Sequence, residues 1–285
     1  MAHFLTGIDH TVVTVRDLEA ARETYARLGF SITPRGRHIG WATGNYCIMF
    51  GANYIELLGI AEPGGFTAGL EEMLAAKGEG LHKIVLGSDD AEATRASFAA
   101  AGLNPSDVQS LKRELQLPDG IVLPAFALVH LPPHATPPVS MFVCQHLSAE
   151  LLRQPAWLLH PNGATHLAGC VVVCDDPLAT EAAYETLFGA GSAVRTDRMI
   201  AARVGREHVL FVTPTDLATL FPDLEHDESR PTPYIAGMRL RVHNPEAAAR
   251  YFSAQGIEHA RALDGTVLVP AEAAHGVFLE FSSRA

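Results

Sequence analysis

Four short apolar runs rich in β-branched residues recur along the chain: GIDHTVVTV from Gly7, GLHKIVLGS from Gly80, HLAGCVVVC from His166 and YIAGMRLRV from Tyr234. Each reads as a strand and leads directly into a segment with helical periodicity. Those segments begin at Asp17, Asp90, Asp176 and Asn244. Counting from these residues, an Ala falls at +3 (Ala20, Ala93, Ala179, Ala247) and a small residue at +4 (Ala21, Thr94, Thr180, Ala248). An aromatic follows at +8 (Tyr25, Phe98, Tyr184, Phe252) and a Gly at +12 or +13 (Gly29, Gly102, Gly189, Gly256). Asp or Asn at the start caps the free N–H groups of a first turn, and Gly ends the helix in a left-handed conformation. The small residue one turn before the aromatic leaves a face that can press onto a sheet.

Downstream of each helix lie further strand patterns, NYCIMFG and NYIELLGI in the first copy, MIAARVG and EHVLFVTP in the third, GTVLVP and GVFLEFSS in the fourth. The repeating unit is therefore strand, helix, then two or three strands, with anchors spaced by 73, 86 and 68 residues. A helix over about 66–80 is predicted to link units one and two. The connector 147–167 joins two halves, and the Pro- and acid-rich connector 214–233 joins units three and four. The expected division is a first domain at 1–150, a linker at 151–164 and a second domain at 165–285.

Composition narrows the function classes. The net charge is −11, with 21 Lys+Arg against 32 Asp+Glu, so the long-range field repels phosphate and disfavours nucleic acid or an anionic membrane as partner. No run of eighteen apolar residues occurs and the opening segment lacks a signal-peptide pattern, which leads to the expectation of a cytoplasmic protein. Four Cys in 285 residues are too few for a disulfide framework and read as buried thiols. The 14 His make a metal or acid–base site worth seeking. No GxSxG, Walker A, GxGxxG or HExxH motif stands in a suitable context, which disfavours nucleophilic acyl transfer and nucleotide chemistry.

The segment GIDHTVVTVRDLEAARETYARLGF, followed by the long connector with QH and HPNGA, resembles the vicinal oxygen chelate superfamily, which includes glyoxalase I, extradiol dioxygenases and antibiotic-resistance proteins. The resemblance covers Gly7 to Phe281. It implies an α+β fold of four βαβββ modules arranged as two paired-module half-barrel domains. It also implies a cavity between paired modules, with metal ligands projecting from the first and last strands of each. Carried onto this chain, those roles fall on His10 and Glu56 in module one, on His82 in module two, and on Gln145 or His146 in its last strand. Such a set suits Zn, Mn, Ni or Fe(II). Glu56 and His146 are the candidates for moving a proton.

In the second half the resemblance points to His166 and Glu280. Module four has no His in its first strand, unlike ring-cleaving dioxygenases of similar length, so the working cavity is expected in the first half. Arg35, Arg37 and His38 form a cationic cluster that would hold an acidic group of a substrate, with Trp41 as cavity wall. The leading expectation is a divalent-metal-dependent isomerase or lyase acting on a small oxygenated metabolite. A metal-free protein that sequesters a small ligand and an Fe(II) ring-cleaving dioxygenase are the alternatives, with the chain a monomer or a homodimer.

Overall fold

The computed structural model describes residues 2–227 and 229–284. Module one comprises β1 (Leu5–Thr14), α1 (Leu18–Arg27), β2 (Gly36–His38), β3 (Thr43–Met49) and β4 (Tyr54–Ile60). A linking helix α2 (Leu70–Lys77) precedes module two: β5 (Gly80–Ser88), α3 (Ala91–Ala100), β6 (Gln109–Leu117), β7 (Gly120–Val122), β8 (Ala125–His130) and β9 (Ser140–His146). Module three holds β10 (Ala164–Val173), α4 (Glu181–Phe188), β11 (Ala193–Thr196), β12 (Met199–Val204) and β13 (Glu207–Val212). After α5 (Pro214–Leu220), module four holds β14 (Tyr234–Val242), α6 (Pro245–Ala254), β15 (Ala260–Arg261), β16 (Val267–Val269) and β17 (Phe278–Ser282). The sequence pattern shows no helix at α5, whose first turn is capped by the Thr213 hydroxyl accepting from Asp216 N–H.

The anchor residues cap as their spacing requires. Asp17, Asp90, Asp176 and Asn244 each accept from the N–H of the Ala at +3. Every +4 and +8 residue is buried, and Tyr25, Phe98, Tyr184 and Phe252 are wholly so. These faces meet in one hydrophobic core that runs across all four modules. Further ties cross between the halves. Asn53 exchanges two hydrogen bonds with the Leu167 backbone, and buried Glu207 accepts from Ile8 N–H.

The two halves differ in one decisive pairing. In the first, β1 pairs with β4 in parallel and with β5 antiparallel, and the outer strands β2 and β6 also pair, Gly36 with Leu115 and His38 with Arg113. Around the ring the order is β1, β4, β3, β2, β6, β8, β9, β5, a closed eight-stranded barrel. In the second, among the described residues no pairing joins β11 to β15, and the sheet stays open. Its inner face is filled by Val171, Val173, Val212 and Phe278, with Leu217 of α5 and Phe221 packed against them. Among the described residues no helix is long and apolar enough to cross a membrane.

Candidate functional site

The barrel of the first half encloses a cavity of about 680 Å³. β1 contributes His10, Val12 and Thr14, alternate residues facing inward, and the parallel pairing sets Glu56 of β4 beside Val12. His38 of β2 and Arg113 of β6 face each other across the strand pair that closes the ring. Trp41, Phe66, Phe126 and Phe142 give the apolar wall its aromatic part, and Lys83 stands on β5.

Glu56, 7% exposed, is the polar centre. One oxygen accepts from Asn45 Nδ2 at 2.5 Å and lies 3.8 Å from His38 Nε2; the other lies 3.5 Å from His10 Nε2. Burial by itself would push this carboxyl up, but His10, His38, the Asn45 hydrogen bond and Arg113 outweigh it and hold it below the ordinary carboxylate range. Behind His10 stands Asp9, the residue skipped where a bulge interrupts the β1–β5 register between Ile8 and His10. Asp9 Oδ2 takes hydrogen bonds from His10 Nδ1 at 2.6 Å and His146 Nε2 at 3.0 Å. Its burial is outweighed by His146 and His10, which keep it ionised. An ionised carboxylate only accepts, so His10 Nδ1 and His146 Nε2 both donate, and His10 Nε2 is the nitrogen turned to Glu56. The ring stacks on Tyr54 at 4.3 Å.

The burial of His38 pushes its pKa down to about 4. The unfolded chain takes up this proton near 6.5 and the folded protein does not, so stability falls as pH drops from about 6.5 towards 4. At pH 5 the expected loss from this residue is about 2 kcal/mol. Denaturant unfolding at pH 7 and pH 5 checks it: His38→Gln should lose about 2 kcal/mol less than wild type between the two. Equal losses would contradict the assignment. His82, also pushed by burial to about 4, steepens both curves in the same sense.

The other sequence candidates are distributed differently. His82 does not join the cluster. It sits on a second bulge, between the pairs Val12–Lys83 and Val13–Leu81, and its Nδ1 meets the Thr14 hydroxyl at 2.5 Å. The count from the cap explains this: His10 stands seven residues before Asp17, and seven before Asp90 stands Lys83, which is the residue that faces the cavity. By the same register Phe142 is the counterpart of Glu56, since Glu56 pairs beyond His10 as Phe142 does beyond Lys83. The four symmetry-related inward positions are therefore His10, Glu56, Lys83 and Phe142.

His146 is one layer behind the cavity, on Asp9, while Gln145 bridges Asp89 O and Ala91 N–H at the start of α3. Arg35 and Arg37 point outward and pair with Glu19 and Glu62 on the surface, so of the cationic cluster only His38 turns inward; Trp41 lines the cavity. Asp9, Cys144 and His146 each place a ligand atom within 4.8 Å of the others. Burial pushes the Cys144 thiol well above its ordinary range.

In the second half, His166 donates to Glu207 at 2.7 Å, and the position equivalent to His10 is Gly169, where a Cβ would lie 2.1 Å from the His208 carbonyl oxygen. Leu210 takes the place of Glu56. Glu280 is bound side-on by Arg239 at 2.8 and 3.0 Å. All four cysteines are free and buried.

Sequence reasoning missed Arg113, Lys83 and the role of Asp9. The seven-residue count from the cap was a usable signal for Lys83, and the Asp-His pair in an apolar strand was one for Asp9. Arg113, in the polar alternation of KRELQL, carried none.

A family model described as a glyoxalase-like domain matches residues 8–188. The chain belongs to the glyoxalase-like family, within the vicinal oxygen chelate superfamily. Two solved structures share the overall fold over nearly the whole chain. A hypothetical protein from Staphylococcus aureus is 12% identical over 96% of this chain and 98% of its own, with a TM-score of 0.66. A mutant of 4-hydroxymandelate synthase from Streptomyces coelicolor is 12% identical over 97% and 92%, with a TM-score of 0.63. Methylmalonyl-CoA epimerase from the same organism is 23% identical over 50% of this chain and 99% of its own, with a TM-score of 0.40. No curated protein matches the sequence.

Proposed function

We propose that this glyoxalase-like protein is a proton-transfer enzyme, an isomerase or lyase, whose substrate is a small oxygenated molecule bound in the first-half barrel. The observation that carries this reading is the ionised Glu56 carboxylate on the cavity wall, with His10 Nε2 at 3.5 Å behind it. Glu56 takes a proton from carbon beside a carbonyl; His10 Nε2 is within reach to receive it, and Asp9 stabilises the imidazolium that results. His146 fixes Asp9 from the far side, so its part is positioning rather than contact with substrate. The apolar wall excludes water and strengthens each of these interactions.

Superfamily members commonly use a divalent ion, and the donor set can be tested against one. His10, Glu56 and His38 offer donors on one side of the cavity, but the remaining symmetry positions carry the Lys83 ammonium and Phe142, so a chelate supplied by both modules does not fit. Behind the cavity, Asp9 Oδ2 already accepts from His10 Nδ1 and His146 Nε2, so as it stands that group is a hydrogen-bonded network rather than a set of free ligand atoms. No step of the proposed reaction passes through a metal. The expectation is that dialysis against EDTA leaves ligand affinity and Tm unchanged within twofold and 1 °C. Near-stoichiometric zinc, manganese, nickel or iron in chelator-free protein, lost in His10→Ala, would overturn it.

The function itself is tested by incubating the protein in D2O with a panel of small aldehydes, ketones, esters and 2-oxo acids and following C–H exchange by NMR. Exchange well above the buffer rate supports the reading. Binding of panel members without any exchange would favour sequestration, a reading for which the extent of the aromatic wall speaks. The ring-cleaving alternative loses the histidines it needs on the first strands of modules three and four, where Gly169 and Gly237 stand at the positions equivalent to His10.

A further inference from the structure

Arg113 is 2% exposed and lies in the middle of the barrel. Its Nη1 donates to Cys47 Sγ at 3.1 Å, and its guanidinium stands 5.6 Å from the Phe126 ring centroid. Burial pushes the Cys47 thiol up and keeps it neutral, so that contact supplies no counter-charge. The oxygens of Glu56, the nearest acidic group on this wall, are directed to Asn45, His38 and His10. Among the described residues, Nε and Nη2 of Arg113 are buried and have no partner. Those two nitrogens form the side-on edge of the guanidinium, the pair of parallel N–H groups that matches the two oxygens of one carboxylate. A buried cation with this edge empty is costly unless something brought into the cavity fills it.

We propose that Arg113 is the anion anchor of the cavity and that the ligand is a monocarboxylate carrying an apolar or aromatic tail. The carboxylate docks side-on against Nε and Nη2 as the Arg113 side chain swings a short way inward, since neither nitrogen reaches the cavity surface as the chain stands, and the tail lies along Trp41, Phe66, Phe126 and Phe142. A planar acid held this way meets two donors at once, whereas its amide meets one donor with its carbonyl and turns an N–H against the other. Lys83, the second cation of the wall, adds long-range attraction for the same charge. The inference deepens the proton-transfer reading, since Arg113 is one of the charges acting on Glu56 and so brings the acid close to the base. The two nonetheless stand or fall on separate measurements.

Calorimetric titration with 3-phenylpropanoate, 2-hydroxy-3-phenylpropanoate and 3-phenylpropanamide provides the test. At least one acid is expected to bind wild-type protein tenfold or more tightly than the amide. In Arg113→Lys, which keeps the charge and loses the fork, the preference should shrink about tenfold, and in Arg113→Met it should vanish. Circular dichroism and Tm establish that each variant is folded, and if Arg113→Met is not, the lysine variant carries the test alone. Acids that bind no better than the amide, or a preference unchanged in a folded Arg113 variant, overturn the anchor. Failure of the proton-transfer reading looks different: acids bind through Arg113, yet no bound compound exchanges a C–H proton.

Discussion

Glu56→Gln is expected to lower the C–H exchange rate of a bound carbonyl compound by about 10²–10⁴-fold while changing its affinity by less than tenfold. Gln is close in size and its carbonyl can still accept from Asn45 Nδ2, so the strand and the cavity shape persist. What disappears is the carboxylate on this wall that can take a proton while facing His10 Nε2. The kinetic signature is a fall in kcat with KM nearly constant, because the lost interaction forms only as the proton moves. A variant that still exchanges at more than a tenth of the wild-type rate would remove Glu56 from the proton path. The pH profile adds an independent mark. With the carboxyl held below its ordinary range, the basic form of Glu56 persists through pH 5 and the rate should not fall until the medium is more acidic.

The second large effect is expected at Asp9. Replacing it with Ala should destabilise the fold by about 3 kcal/mol at pH 7, because two buried imidazole N–H groups lose their acceptor together. Exchange activity should fall in the same variant, since His10 is no longer held with Nε2 turned to Glu56 and no anion remains to stabilise its charged form. Asp9→Asn separates the two consequences. Its carbonyl can take the place of Oδ2 and accept from both imidazoles but carries no charge, so stability should recover in part while activity stays low. Urea unfolding of both variants checks the first claim, and C–H exchange the second. A loss below 1 kcal/mol in Asp9→Ala would mean that the histidines find other partners.

These effects concentrate in the first half because the second half has spent its equivalent space on packing. Gly169 leaves no room for a side chain where His10 stands, Leu210 replaces Glu56, and Leu217 and Phe221 cover the sheet. The second half thus backs the barrel, joined to it through Asn53, Glu207 and the common core. Fold symmetry is retained in such a half without the side chains that gather in the first, since helix caps and apolar faces suffice to keep a module folded.

The sequence alone determined what local physics controls. The four Asp or Asn caps, the buried aromatic eight residues on and the strand before each helix depend on spacing within one short segment, and they stand as the pattern requires. His10 and Glu56 were legible for a related reason, each being a charged or titratable residue in an otherwise apolar strand that needs a partner. Tertiary structure decided the rest. The pairing of β2 with β6, set by strands about 75 residues apart in sequence, closed one half into a barrel and brought Arg113 opposite His38. Two single-residue bulges placed Asp9 against both His10 and His146 and turned Lys83 rather than His82 inward. A strand alternates its faces with every residue, so a slip of one exchanges cavity for core; that choice is made between strands, where no local pattern records it.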